Sequence, residues 1–188
     1  MDDRAQKLVE KARTEDTLKQ EFALTLAQRV ERHLDLRPHA IVPNSHFAAV
    51  SAECHYLYRD GHFYGTISLA QSVAEALVKF LCERSGWQPN KDFEKNLRQL
   101  KTRKVISDDL VSSFTEIWKN RDDYHHLNPQ IAQDRQKTEL LAKEKLTNLR
   151  KIENELFAYT VNEGILVAIN PKYWDQHDGT VPVFLRID

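Results

Sequence analysis

The chain is poor in the residues that staple or punctuate a fold. It has two cysteines in 188 residues. Cys54 and Cys82 each sit inside an apolar helical pattern, so both are expected to be buried thiols in a reducing compartment rather than a disulfide framework or a nucleophile. Five glycines and six prolines leave little turn chemistry, which favours helices of ordinary or greater length over many short strands. No apolar run approaches the about 20 residues that a bilayer-spanning helix requires. The start, Met1-Asp2-Asp3-Arg4, lacks the apolar core of a signal peptide, so a cytoplasmic protein without membrane attachment is expected. Charge is balanced at a formal net −1, which excludes global electrostatic steering toward nucleic acid or an anionic surface. The 41% hydrophobic content fills one core, so a single domain over 1–188 is expected, with no cofactor and no metal required.

Helical spacing organises most of what remains. Residues 1–43 read as an N-terminal helix and connector: Leu8, Ala12, Leu18, Phe22, Leu26 and Val30 recur at helical intervals, as one long helix or two with a break near Asp16, before Pro38 and Pro43. Residues 44–160 read as a helical bundle. Asn44-Ser45 is expected to cap a helix carrying Phe47, Val50, Cys54 and Leu57, and Gly61 to end it. From His62 to Arg84 the apolar face is wide enough for a central helix with neighbours on several sides. A short helix around Phe93, Leu97 and Leu100 precedes Ser107, which caps a helix with Asp108 and Asp109 in its first turn. That helix is expected to run from Leu110, Phe114, Ile117 and Trp118 straight into Arg121 and to end near Asn128-Pro129. A further helix extends to about Thr160. Residues 161–188 read as a small β-hairpin appendage, with Ile165–Ile169 as one strand and Val181–Leu185 as the other.

The chemistry concentrates between Lys119 and Pro129, where Arg121, Asp122, Asp123, Tyr124, His125 and His126 follow one another. Histidine exchanges protons near neutral pH, and arginine grips a phosphate through two parallel hydrogen bonds. Together they suit phosphodiester chemistry, with a histidine taking the proton of a ribose 2′-hydroxyl or supplying one to the leaving oxygen while arginine stabilises charge on phosphorus. An ordinary helix end rich in basic residues is the plainer account of the same stretch. Adjacent histidines on a helix diverge, and no Cys or His pattern completes a metal set. At about 100° per residue, Arg121 and His125 share a helical face and His126 does not, so an unbroken helix favours His125 and an unwound end favours His126.

Arg121, four intervening residues and His126, with Asp122 after the arginine, resemble the signature of the HEPN superfamily. The expected helical bundle over 44–160 fits that resemblance. It implies a HEPN-like bundle that dimerises so that two motifs face one cleft, and a metal-independent endoribonuclease activity in which Arg121, His126, His125, Asp122 and Tyr124 are the catalytic candidates. It also implies a biological setting in RNA restriction, as a toxin with an antitoxin partner protein or as a defence protein. Other members of the family bind RNA, a nucleotide or a partner protein without catalysis. Where some members have a modified tyrosine beyond the motif histidine, this chain has Leu127-Asn128.

A local basic surplus bears on the same substrate class. Lys91, Lys95, Arg98, Lys101, Arg103 and Lys104 outnumber Asp92 and Glu94 by four within residues 91–104. Lys95, Arg98, Lys101, Arg103 and Lys104 are therefore candidates for positioning an RNA backbone without reading its sequence, with a solvated helix face as the alternative. Trp87, Trp118, Trp174, Tyr56 and Tyr58 are expected mainly in the core, with base stacking as the alternative role.

Overall fold

The structure, a computed structural model, describes residues 3–126, 128, 131, 134–175 and 182–186. The chain divides into two compact units, Met1–Asp35 and Leu36–Asp188. The first is a single unbroken helix, α1 (Asp3–Asp35), none of whose residues is buried. No break occurs at Asp16, because neither proline nor glycine interrupts the pattern there.

The second unit is mainly helical. After a short strand β1 (Ile41–Pro43), helices α2 (Ala48–Arg59) and α3 (Phe63–Arg84) pack together, followed by α4 (Phe93–Thr102), α5 (Asp108–Trp118), the single-turn α6 (Arg121–His125) and α7 (Arg135–Leu156). Helix α3 occupies the centre, touching α2, α4, α5, α6 and α7. Most of its apolar residues are buried, including Ile67, Val73, Ala74, Leu77, Val78 and Leu81. Such a helix has neighbours on several sides, as the width of its apolar face predicts, and keeps one strip open to solvent at Gly65, Ser72 and Glu83. Phe114 and Ile117 of α5 and Leu146, Leu149 and Ile152 of α7 complete the core. Both cysteines are free and buried. Among the described residues, no helix is long and apolar enough to cross a membrane.

Local signals explain several boundaries. Ser107 Oγ accepts from Leu110 N at 3.1 Å, the expected N-cap of α5. Helix α2, by contrast, starts at Ala48 after Phe47 without a side-chain cap. Ser45 contributes only its carbonyl, 3.0 Å from Ala48 N. Gly61 ends α2 at φ 82°, and the amide of His62 reaches back to Leu57 O at 2.8 Å, the six-to-one bond of a left-handed helix cap.

The β structure corrects the expected pairing. A C-terminal hairpin is present, but its strands are β2 (Tyr159–Asn162) and β3 (Ile165–Ala168). Glu163 at φ 52° and Gly164 at φ 81° form its two-residue turn, and two left-handed positions match the twist of a tight hairpin. Helix α7 consequently stops at Leu156 rather than near Thr160. The strand β4 (Val183–Leu185) pairs antiparallel with β1, with Val42 opposite Phe184. The expected loop residues Asp178-Gly179, and Val181, lie outside the described residues. A buried ion pair ties β4 to the bundle: Arg186 donates to Glu153 Oε2 at 2.6 Å and Oε1 at 2.9 Å. Ser51 Oγ adds a 2.5 Å hydrogen bond to the same carboxylate.

Candidate functional site

Helix α5 ends where a side chain from another helix takes its carbonyls. Lys145 of α7 is fully buried. Its Nζ donates to the carbonyl oxygens of Glu116 at 3.2 Å, Ile117 at 2.7 Å and Lys119 at 2.8 Å. Gln71 Nε2 of α3, also buried, donates to Lys119 O at 3.3 Å. The last carbonyls of a helix have no partner within it and carry partial negative charge, so a buried ammonium satisfies them in both respects. Burial pulls the Lys145 ammonium down to about 8, assisted by the charge of Lys119 and opposed by Glu144 and Glu116.

The chain then turns. Lys119 leaves helical geometry at ψ 138°, Asn120 takes a left-handed conformation at φ 60°, and α6 begins at Arg121. Asparagine is among the few residues that enter this region at small cost. One continuous helix from Ser107 through the motif is therefore not what forms. The apolar stripe of α5 ends at Trp118, and Arg121 belongs to a separate turn seated against α3. Tyr124 does the seating: it is buried, with its ring 5.0 Å from that of Tyr64. Burial raises its phenol above the ordinary value, with the charges of Tyr64 and Asp123 adding to the effect.

Arg121 is held by a ring rather than by a carboxylate. Its guanidinium carbon lies 4.8 Å from the Trp118 ring centroid. The Trp118 ring itself stacks on Phe93 of α4 at 4.0 Å with an interplanar angle of 12°. Arg121 Nε is buried with no hydrogen-bond partner among the described residues. Its Nη1 is 3.7 Å from Asp122 Oδ1, on a carboxylate side chain that is 87% exposed. That distance and exposure make a weak ion pair, so the cation is positioned without being neutralised. The second carboxylate is engaged elsewhere, with Asp123 Oδ1 accepting from Asn128 Nδ2 at 3.0 Å.

The two histidines differ in setting. His125 closes α6 one turn after Arg121, on the same face. Although exposed overall, its imidazole is shifted below the ordinary value, first by partial desolvation and then by the charges of Arg121 and His126. Glu75 of α3 and Asp122 act against that shift. A neutral ring beside a fixed cation is suited to accept a proton. His126 follows the helix, exposed, with its amide donating to Asp122 O at 3.1 Å. The turn thus brings together Arg121, His125 and His126 at the surface, leaves Asp122 in solvent, and withdraws Tyr124 into the packing.

The basic candidates belong to α4 and the loop after it. Lys95, Arg98, Lys101, Arg103 and Lys104 are all exposed. Lys101 pairs with Asp108 at 3.0 Å, Lys95 approaches Asp92 at 4.0 Å, and the Arg103 guanidinium covers the Trp87 ring at 4.3 Å. Through Phe93 and Trp118, the helix that carries the first three is packed to the turn that carries the motif. An open groove between α5 and α7, lined by Asp109, Ser112, Ser113, Glu116, Asn148 and Lys151, contains no motif residue. Among the described residues, no group of three or more His, Cys, Asp or Glu is arranged to hold a metal ion.

Sequence reasoning missed Lys145 and Gln71, which shape the turn without belonging to the motif. A signal was present: both are polar residues on otherwise apolar stripes, Lys145 between Ala142 and Leu149 and Gln71 between Ile67 and Ala74. Comparison with protein families, curated proteins and solved structures returns no match for this chain.

Proposed function

We propose that the protein is a metal-independent endoribonuclease of HEPN type, acting as a homodimer whose two motif turns share one cleft. The observation that supports this reading best is the state of Arg121. Its guanidinium rests on Trp118 with a buried Nε that has no partner among the described residues, and two histidines follow within the next five residues. A cation fixed by a ring keeps its outward donors for a phosphate.

In this reading Arg121 binds the non-bridging oxygens of the scissile phosphate and stabilises the charge that develops there. His125, whose neutral form is favoured, takes the proton of the ribose 2′-hydroxyl as that oxygen bonds to phosphorus. The bond from phosphorus to the 5′-oxygen breaks, and His126 gives that oxygen a proton. The products are a 2′,3′-cyclic phosphate end and a 5′-hydroxyl end. The exposed cations of α4 hold the flanking backbone. RNA restriction, by a toxin held by an antitoxin partner or by a defence protein, is the setting in which such an activity is useful.

The test is incubation of the purified protein with structured and single-stranded RNA in EDTA. Cleavage to cyclic-phosphate ends is expected, with Arg121→Ala and His126→Ala each slowing it by about a hundred-fold. Cleavage that persists in both variants, or that appears only when metal is added, overturns the mechanism. RNA or nucleotide binding lost in Arg121→Ala, without cleavage by the unaltered protein, assigns a non-catalytic binding module instead.

A further inference from the structure

Helix α1, taken as a unit by itself, has an apolar stripe with nothing in that unit to cover it. Leu8 is 62% exposed, Phe22 49% and Leu26 44%, and no residue of the helix is buried. A helix of 33 residues gains most of its stability in water from packing such a stripe rather than from intrinsic propensity. Ala5, Leu8, Ala12, Glu15, Lys19, Phe22 and Leu26 alternate by three and four residues, the spacing of a coiled-coil seam. The seam is therefore apolar at both ends and ionic in the middle, where Lys19 Nζ lies 2.7 Å from Glu15 Oε1.

That distribution selects its partner. We propose that α1 pairs antiparallel with α1 of a second copy of this chain. With the two helices reversed about the middle of the seam, Leu8 faces Leu26, Ala12 faces Phe22, and Glu15 faces Lys19 of the second copy. Each relation is repeated by symmetry. A small residue meets a large one, and every central charge meets its opposite. A parallel, in-register pair sets Glu15 against Glu15 and Lys19 against Lys19, two repulsive layers at the centre. Polar residues at seam positions fix orientation and register in this way, at some cost in strength. An anionic membrane is a poorer match, because α1 carries seven acidic and seven basic residues rather than the basic polar face such surfaces select. The pairing is independent of the motif in α6 and of any activity there.

Disulfide trapping in the full chain tests it directly. Leu8→Cys and Leu26→Cys proteins are mixed, oxidised and digested, and the linked peptides are identified. Links between positions 8 and 26 are expected to dominate over 8–8 and 26–26 links. Glu15→Lys and Lys19→Glu, each introduced separately, are expected to weaken self-association about ten-fold or more in sedimentation equilibrium, and mixing the two reversed proteins to restore it. Circular dichroism of the same samples separates lost pairing from an unfolded helix. Dominant 8–8 links, absence of α1 links in the unaltered charge background, or association indifferent to both reversals overturns the proposal. A dimer held through the bundle alone gives no 8–26 link and is distinguished on that ground.

Discussion

The Arg121 guanidinium lies 4.8 Å from the centroid of the Trp118 ring, across the break between α5 and α6. Both residues lie in a segment that the sequence pattern extends as one helix, yet their contact depends on the helix stopping between them. The ring gives the arginine a fixed place while consuming none of its hydrogen-bond donors.

Replacing that ring is expected to separate charge from positioning. Trp118→Leu keeps Arg121 but removes the surface beneath it and the stacking partner of Phe93. RNA affinity and cleavage should both fall, and a double-mutant cycle with Arg121→Ala should give a coupling of about 0.5–1 kcal/mol, the size of a partly exposed cation–π contact. Additive effects in that cycle would show that the ring does not position the arginine.

Lys145→Met preserves chain length but deletes the ammonium that three carbonyls share. The bond to Ile117 O is buried and those to Glu116 O and Lys119 O are partly buried. Leaving a buried group unpaired costs about 1–3 kcal/mol and a partly buried one less, so a loss of roughly 2–4 kcal/mol in urea unfolding is expected. An unchanged denaturation midpoint would show that the carbonyls find other partners.

The same lysine predicts opposite pH effects on global and local order. Its folded value of about 8 lies below that of an ordinary lysine. Between those two values the unfolded chain binds a proton that the folded chain does not, so stability from this group rises with pH across that window and is lost again as pH falls through about 8. The neutral amine, however, has only two N–H bonds for three carbonyls. Hydrogen exchange at Arg121–His125 should therefore accelerate above pH of about 8 beyond its intrinsic pH dependence, while the contribution of Lys145 to the melting temperature does not decline. Lys145→Met abolishes both effects. Exchange that tracks the intrinsic rate across that range would remove Lys145 from control of the turn.

For His125 the sign is set by its neighbours. Desolvation lowers its value first, and the Arg121 charge second. Arg121→Gln should accordingly move its NMR titration upward, toward an ordinary histidine. In the unaltered protein the acid limb of cleavage, where the base becomes protonated, should lie below the ordinary histidine range. A titration that does not respond to Arg121→Gln would mean the two side chains are not electrostatically coupled.

Glu153 and Arg186 are each fully buried at the side chain. Arg186→Met alone leaves a buried carboxylate with Ser51 as its remaining side-chain partner among the described residues and is expected to cost about 3–5 kcal/mol. Adding Glu153→Leu should recover much of that loss, because the uncompensated charge is then gone. Equal loss in the single and double variants would assign the cost to packing rather than charge.

What could be read from the sequence was what local interactions determine. Ser107 caps α5 through an amide three residues on, and the breadth of apolar residues on α3 foretold a central helix, since both signals lie within the element they describe. The end of α5 could not be read that way. Its terminators, Lys145 and Gln71, come from α7 and α3, and only their position on apolar stripes hinted that they were inside. The strand pairing failed for a related reason. Val183–Leu185 has its hydrogen-bond partner at Ile41–Pro43, and nothing in a run of apolar residues encodes which distant run it will meet. At the motif, the composition of Arg121–His126 stood out, but the roles separated only in three dimensions: Tyr124 packs inward, Asp123 is occupied by Asn128, and the arginine and histidines remain at the surface.

The ion pair between Glu153 and Arg186 also orders events in time. During synthesis Glu153 leaves the ribosome before its partner, as does β1 before β4. Until Arg186 arrives, settling α7 against α2 buries a carboxylate that has the Ser51 hydroxyl but not its cation, so the final packing of the bundle is weakened by the absence of a residue later in the chain. The buried pair and the β1–β4 pairing are therefore completed only once residues 183–186 are made, and a chain cut short before Arg186 would leave the Glu153 carboxylate and the β1 edge without them, as a weak point for quality-control proteases to find.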